Sequence, residues 1–108
     1  MPPTIEQLLR EAQVIAVVGL SSNPERPSYG IARALQQRGY RIIPVNPQES
    51  EVLGEVAYAS LLDVPVKVDI VNVFRRPAQT PEVARQAVQI GARALWLQTG
   101  IVNEEAEV

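Results

Sequence analysis

Apolar and polar positions alternate along this chain in two rhythms. Val14 to Leu20 (VIAVVGL) is apolar at every position but its glycine and carries β-branched side chains at Val14, Ile15, Val17 and Val18. A short run of that kind predicts a strand buried on both faces, as at the centre of a parallel sheet. The pattern breaks at Gly19 into a polar loop, Ser21 to Pro27, with prolines in Asn23-Pro24 and Arg26-Pro27. Proline holds each preceding residue out of the helical region, so a helix can begin no earlier than Pro27. From there Ile31, Ala34 and Leu35 recur at helical spacing, Ser28 is the expected N-cap, and Gly39 supplies a left-handed stop.

The same rhythms run through the rest of the chain. Thr4 to Gln13 predicts a short helix over one end of the sheet, because Thr4 and Gln7 have capping-box spacing and Ile5, Leu8, Leu9 and Ala12 share a face. Arg41 to Asn46 (RIIPVN) predicts a second strand, whose proline belongs near an edge or at the strand's end. Glu49 to Val68 has the weakest pattern: Val56 to Tyr58 is the best place for a third strand, and Ser60 to Val64 reads as one helical turn. Asp69 to Phe74 (DIVNVF) is a fourth strand. Thr80, Pro81 and Gly91 bracket a helix whose buried face is Val83, Ala84, Ala87 and Val88. Ala92 to Gln98 (ARALWLQ) is the last strand, with Trp96 in its interior as core.

Strands alternating with helices imply right-handed crossovers and a parallel sheet with helices on both faces. The expected architecture is therefore α/β, a Rossmann-like three-layer α/β/α domain over residues 1–108 with strand order 3-2-1-4-5 in chain numbering. Its topological switch lies between the strands beginning at Val14 and Asp69, and ligands of such sheets sit in the crevice at the carboxyl ends of those strands. The residues expected there are Gly19 to Ser22, Asn46-Pro47, Phe74-Arg75-Arg76 and Thr99-Gly100.

Composition narrows the chemistry. At 108 residues the chain can bury roughly 65% of its unfolded surface and fold without staples. It has no cysteine and no histidine, which excludes disulfides, zinc sites of the usual kind, thiol nucleophiles and most general-base chemistry at neutral pH. A net charge of −2, with nine arginines and only Lys67 as lysine, gives no basic field for nucleic acid. No apolar run approaches a membrane span, and MPPTIEQLLREAQ is not a signal peptide, so a cytoplasmic protein is expected.

A strand, a turn and a helix in that order form the first unit of a nucleotide-binding domain, with backbone N–H groups aimed at a phosphate. The dinucleotide fingerprint G-x-G-x-x-G is absent, since Gly19 is followed by Leu20-Ser21-Ser22-Asn23-Pro24 and the next glycine is Gly30. The second strand ends in Asn46-Pro47 where an NAD site would place an acid, and no Walker motif occurs. What remains is a serine-rich turn, a helix N-terminus and Arg26, Arg75 and Arg76 near one crevice, which describes a phosphorylated adenine nucleotide as ligand. Gly39 reads as a cap glycine only. Ser22, Ser28 and Tyr29 could equally cap the helix, and Arg33, Arg38, Arg85 and Arg93 read as solvated surface. Asp63, Asp69 and the terminal glutamates show no pairing suited to acid–base catalysis.

These residues resemble the small coenzyme A-binding proteins related to the CoA-binding domain of the succinyl-CoA synthetase alpha subunit. The resemblance is carried by IAVVGLSSNPERPSYGIARALQQRGYRIIPVNP, VLGEVAYASL, VDIVNVFRRP and ALWLQTGIVNEEA, which span nearly the whole chain in family order. It implies that Gly19, Leu20, Ser21, Ser22 and Asn23, with Pro27 and the Ser28-Tyr29-Gly30 helix start, cradle the pyrophosphate of coenzyme A or an acyl-CoA. It further implies that Arg26 meets a phosphate, that Val45, Asn46 and Pro47 flank adenine and ribose, and that Phe74, Arg75, Arg76 and Gly100 belong to the crevice. Two departures stand out. Family members continue with a further helix and strand, whereas here the helix-start signal Asn103-Glu104-Glu105 has three residues after it; and without histidine the synthetase's phosphohistidine chemistry has no counterpart.

The function expected from this resemblance is non-catalytic binding of CoA or acyl-CoA. Two alternatives stay open: an NADP-dependent or other nucleotide enzyme component with catalytic groups on a partner, which Asn46 in place of an acid permits, and a purely structural domain. The edge of the last strand, rich in Ala94, Leu95, Trp96 and Leu97, is expected to promote self-association, or else poor solubility, if the chain ends at Val108.

Overall fold

The computed structural model describes residues 5–97 and 100–103. Ile5–Glu11 (α1), Val14–Val18 (β1), Pro27–Gln37 (α2), Arg41–Val45 (β2), Glu51–Val52 (β3), Glu55–Val56 (β4), Ile70–Val73 (β5), Thr80–Gln89 (α3), Ala94–Leu97 (β6) and Gly100–Asn103 (β7) follow one another, with 3-10 turns at Leu61–Asp63 and Pro77–Gln79. The main sheet runs β2-β1-β5-β6-β7, parallel from β2 to β6, while β3 and β4 pair separately.

β1 is an interior strand, between β2 and β5, and both of its faces are apolar; the expected central place falls to β5 because β7 extends the far edge. Ile15 and Val17 point to one side, where they join Ala32 and Leu35 of α2; Ala16 and Val18 point to the other, where they join Val83 and Ala87 of α3. The three-layer α/β/α architecture follows, with the switch between β1 and β5 as the sequence predicts. Pro44 is tolerated in β2 because Tyr58 donates to its carbonyl at 3.0 Å from the side away from β1. The proline nitrogen lies on that same outer side, so no hydrogen bond to β1 is lost.

The expected third strand shrinks to one parallel bridge, Val45 to Tyr58. Leu53 and Gly54 both have positive φ, 55° and 80°, the geometry of a two-residue hairpin turn. That turn folds Glu55–Val56 back on Glu51–Val52, and Tyr58 makes the bridge to β2. The strand order is thus 2-1-4-5 in the sequence numbering, with an added partner at the far edge. That partner is β7, antiparallel to β6, with Leu95 opposite Val102 and Trp96 opposite Ile101. It corrects one expectation: the β6 edge is already paired within the chain, which removes the ground for self-association through it, while the helix expected to start at Asn103 would run over residues outside the described ones. Glu104, Glu105, Gln98, Thr99 and the capping-box residue Thr4 lie outside the described residues.

The helix faces are rotated from those predicted. α2 starts at Pro27 with Arg26 as N-cap, so Ser28 sits inside the first turn, 4% exposed, and not at the cap. Proline suits the first helical position, where its missing N–H would have no partner. The buried stripe is Ser28, Ala32 and Leu35, leaving Ile31 36% exposed and Ala34 exposed. On α3 the stripe is Val83 and Ala87, Ala84 is half-buried, and Val88 is 59% exposed. Trp96 is half-buried against the α2-side core, not enclosed by it. Gly39 and Gly91 end the two helices with φ of 100° and 78°. Among the described residues no helix is long and apolar enough to cross a membrane.

Candidate functional site

The carboxyl ends of β1, β2 and β5 meet at Gly19. Its N–H donates to Val45 O at 2.8 Å, which extends the pairing with β2, and Phe74 N donates to Val18 O at 2.8 Å from the other side. Gly19 then turns the chain with φ 86°, and a Cβ there would lie 2.3 Å from the carbonyl oxygen of Phe74. Glycine is therefore required by the protein's own backbone, with or without a ligand. Leu20 is fully buried and anchors the loop to the core.

The loop beyond it is closed largely on itself. Ser21 N donates to Ser28 Oγ (3.1 Å), Asn23 N to Ser21 Oγ (3.0 Å), Glu25 N to Asn23 Oδ1 (3.0 Å) and Arg26 N to Asn23 O (3.0 Å). Ser22 differs, since its N–H donates across the crevice to Glu49 Oε2 at 2.9 Å. Asn46 is 8% exposed and both ends of its carboxamide are engaged: Nδ2 donates to Leu20 O at 3.1 Å and Oδ1 accepts from Gln48 N at 3.0 Å. It staples the loop after β2 to the loop after β1.

Between these loops lies a cleft of about 290 Å³ lined by Gly19, Ser21, Arg26, Pro27, Ser28, Asn46, Gln48, Glu49 and Phe74. Its anion-directed features are the N-terminus of α2, which has no side-chain cap and no acidic residue in its first turn, and Arg26, an exposed arginine among the lining residues. A bare helix start and an arginine suit a phosphate group. The volume is near the small end of ligand pockets, about 300–1,000 Å³, enough for the phosphates of a nucleotide but not the whole of one.

The other expected residues distribute around this cleft. Ser22 and Asn23 are exposed on the loop, Gly30 is exposed on α2, and Pro47 is exposed just past Asn46. Val45 is buried in β2, and Tyr29 is half-buried against the core on the α2 side. Arg75 and Arg76 follow Phe74 directly but do not line the cleft, and Gly100 lies in β7 opposite Leu97, two strands out from β5. The sequence reading missed Gln48 and Glu49. The end of β2 carries Asn46-Pro47 and no acid, but the turn closed by Glu49 N to Asn46 O, 3.2 Å, brings an acid back three residues later.

A larger cleft of about 630 Å³ lies at the opposite end of the sheet, against Leu9, Arg38, Tyr40 and Arg41. It contains none of the expected site residues, and it faces the amino ends of β1 and β2, away from the α2 N-terminus. Asp69 also sits at that end, where its Oδ2 accepts from Gln13 N and Val14 N at 2.9 and 3.0 Å, a structural role. On α3 the hydrogen bond from Arg85 holds the Glu82 carboxyl below its ordinary pKa.

Known proteins bear on this geometry. An uncharacterised protein of Bacillus subtilis (strain 168), YneT, is 48% identical over 102 residues, covering 94% of this chain and 76% of that protein. The alpha subunit of acetate–CoA ligase [ADP-forming] II from Pyrococcus furiosus is 39% identical over 94 residues, 86% of this chain but 21% of the subunit, so the chain spans only about a fifth of that relative. Among solved structures, a hypothetical protein from Pyrococcus horikoshii OT3 superposes with a TM-score of 0.86 at 40% identity, covering 94% of this chain and 72% of that one. Residues 13–108, everything beyond α1 and its connecting residue, match the family described as CoA binding domain, and the chain belongs to that family.

Proposed function

We propose that this chain, acting as one domain, binds coenzyme A or an acyl-CoA and performs no chemistry of its own. The family match across residues 13–108 is the observation that carries the reading. The site is compatible with it: the diphosphate would lie against the N-terminus of α2 with Arg26 on a phosphate oxygen, the adenosine would extend past Val45, Asn46 and Pro47, and Phe74 with Arg75 and Arg76 would flank the far side. The absence of histidine and cysteine from the sequence, and the engagement of Asp69 and Glu82 elsewhere, leave no evident acid–base pair at the cleft. A cytoplasmic location accords with a CoA ligand.

Isothermal titration against CoA, dephospho-CoA and NAD tests the assignment, supported by native mass spectrometry of the purified protein. CoA should bind most tightly and co-purify. Tighter binding of NAD than of CoA would overturn it.

A further inference from the structure

The cleft already contains an anion of its own. Glu49 is half-buried, lines the cleft with Arg26 and Ser28, and places Oε2 2.9 Å from the amide nitrogen of Ser22. The neighbouring amides of Ser21, Asn23 and Glu25 are held by side chains of the 21–28 segment itself, so they keep the loop in shape whatever happens at Glu49. The Ser22 amide instead depends on a carboxylate that arrives from the loop after β2. A carboxylate oxygen at that distance on a loop N–H beside a helix N-terminus makes the charge-assisted bond that a phosphate oxygen would make.

We propose that Glu49 occupies the position of a ligand phosphate oxygen on the Ser22 amide and is displaced when a diphosphate ligand binds. It is an internal competitor that sets the affinity of the site and favours ligands anionic enough to expel it. Two observations make the exchange cheap. The backbone of the Glu49 loop is pinned by Gln48 N to Asn46 Oδ1 and by Glu49 N to Asn46 O, so only the side chain has to rotate. Arg26, which lines the same cleft, makes no ion pair among the described residues, so it does not neutralise Glu49 and is available to the incoming anion.

The proposal rests on the CoA reading for the identity of the natural ligand, but the competition itself concerns any diphosphate. The test titrates inorganic pyrophosphate and CoA separately into wild type, Glu49→Gln and Glu49→Ala, by calorimetry and by following the Ser22 amide in nitrogen-15 NMR spectra, with melting curves to confirm folding. Glu49→Gln keeps the shape and removes the charge; the affinity for both ligands should rise about fivefold, the difference between a charged and a neutral acceptor on one amide. Glu49→Ala should gain at least as much, and the Ser22 resonance should move on titration of the wild type. Unchanged or weaker pyrophosphate affinity in both variants, a Ser22 amide that stays still on binding, or no pyrophosphate binding to any form would overturn the competition. If pyrophosphate behaves as expected and CoA binds no form, the competition stands and the CoA reading falls. If pyrophosphate affinity is unchanged in both variants while CoA binds every form, the competition falls and the CoA reading stands.

Discussion

Arg26 caps α2 with its backbone alone, at φ −80° and ψ 140°, and its side chain makes no capping bond. Its guanidinium is therefore dispensable for the fold, and truncation reports on the ligand directly. Arg26→Ala should weaken CoA binding by about 1.5–3 kcal/mol, the range for hydrogen bonds to charged groups, and leave the melting temperature unchanged. Equal CoA affinity by calorimetry would return Arg26 to the solvated surface. The glycines separate in a similar way. Gly30 is in a helix, and a Cβ on it would meet no atom within 4 Å, so Gly30→Ala should raise stability by about 0.5–1 kcal/mol in thermal or urea melts. If a ligand approaches that bare backbone, the same change lowers CoA affinity; an unaltered affinity removes Gly30 from the site. Gly19 shows the limit of reading such residues from sequence. Its position after an apolar run marks the turn, but the carbonyl that forbids a side chain comes from Phe74, fifty-five positions later. Glu49 was invisible for the same reason, because its partner Ser22 lies 27 residues away and no local pattern joins them.

At the scale of elements, strands were easier to read than helix faces. β1, β2, β5 and β6 all lie within the predicted ranges, and in the first three a run buried on both sides has no polar alternation to misplace. Helix faces depend on which way a partly apolar cylinder rolls. Ile31 and Val88 are large and apolar yet turned outward, and the deciding positions are small ones, Ser28 with Ala32 on α2 and Ala87 on α3, which let the helices approach the sheet. β5 contains an interior choice that runs against hydrophobic logic. Asn72, paired with Val17 and Trp96 in the middle of the sheet, is 1% exposed, and neither its Oδ1 nor its Nδ2 has a hydrogen-bond partner. An unpaired buried amide costs about 1–3 kcal/mol, whereas an apolar group of similar shape does not. Asn72→Leu should raise the unfolding free energy by about 1–2 kcal/mol in urea titration. A fall in stability would mean that the carboxamide is satisfied by a bound water or by a ligand reaching that far below the crevice.

For the whole molecule, chain connectivity made most of the sheet legible: right-handed crossovers leave few ways to arrange four parallel strands, and β2-β1-β5-β6 is the expected one. β7 was hidden because Gly100–Asn103 is short, and Asn103 followed by glutamates resembles a helix start. What places it there is the demand of β6. A strand with apolar Ala94, Leu95, Trp96 and Leu97 and an open row of N–H and C=O groups is a template for pairing, and the nearest chain able to pair is its own continuation. The edge argument therefore survives with a different outcome, and it can be tested by uncovering that edge. In sedimentation velocity over a range of concentrations, the full chain should show no association that depends on the β6 edge, whereas a chain ending at Leu97 should associate as concentration rises. Its parallel partner β5 remains on the inner side, and the outer row of backbone groups is left open. A monomeric truncated chain at high concentration would mean that the edge is blunted by something other than β7. Equal association of both chains would mean that β7 does not protect it.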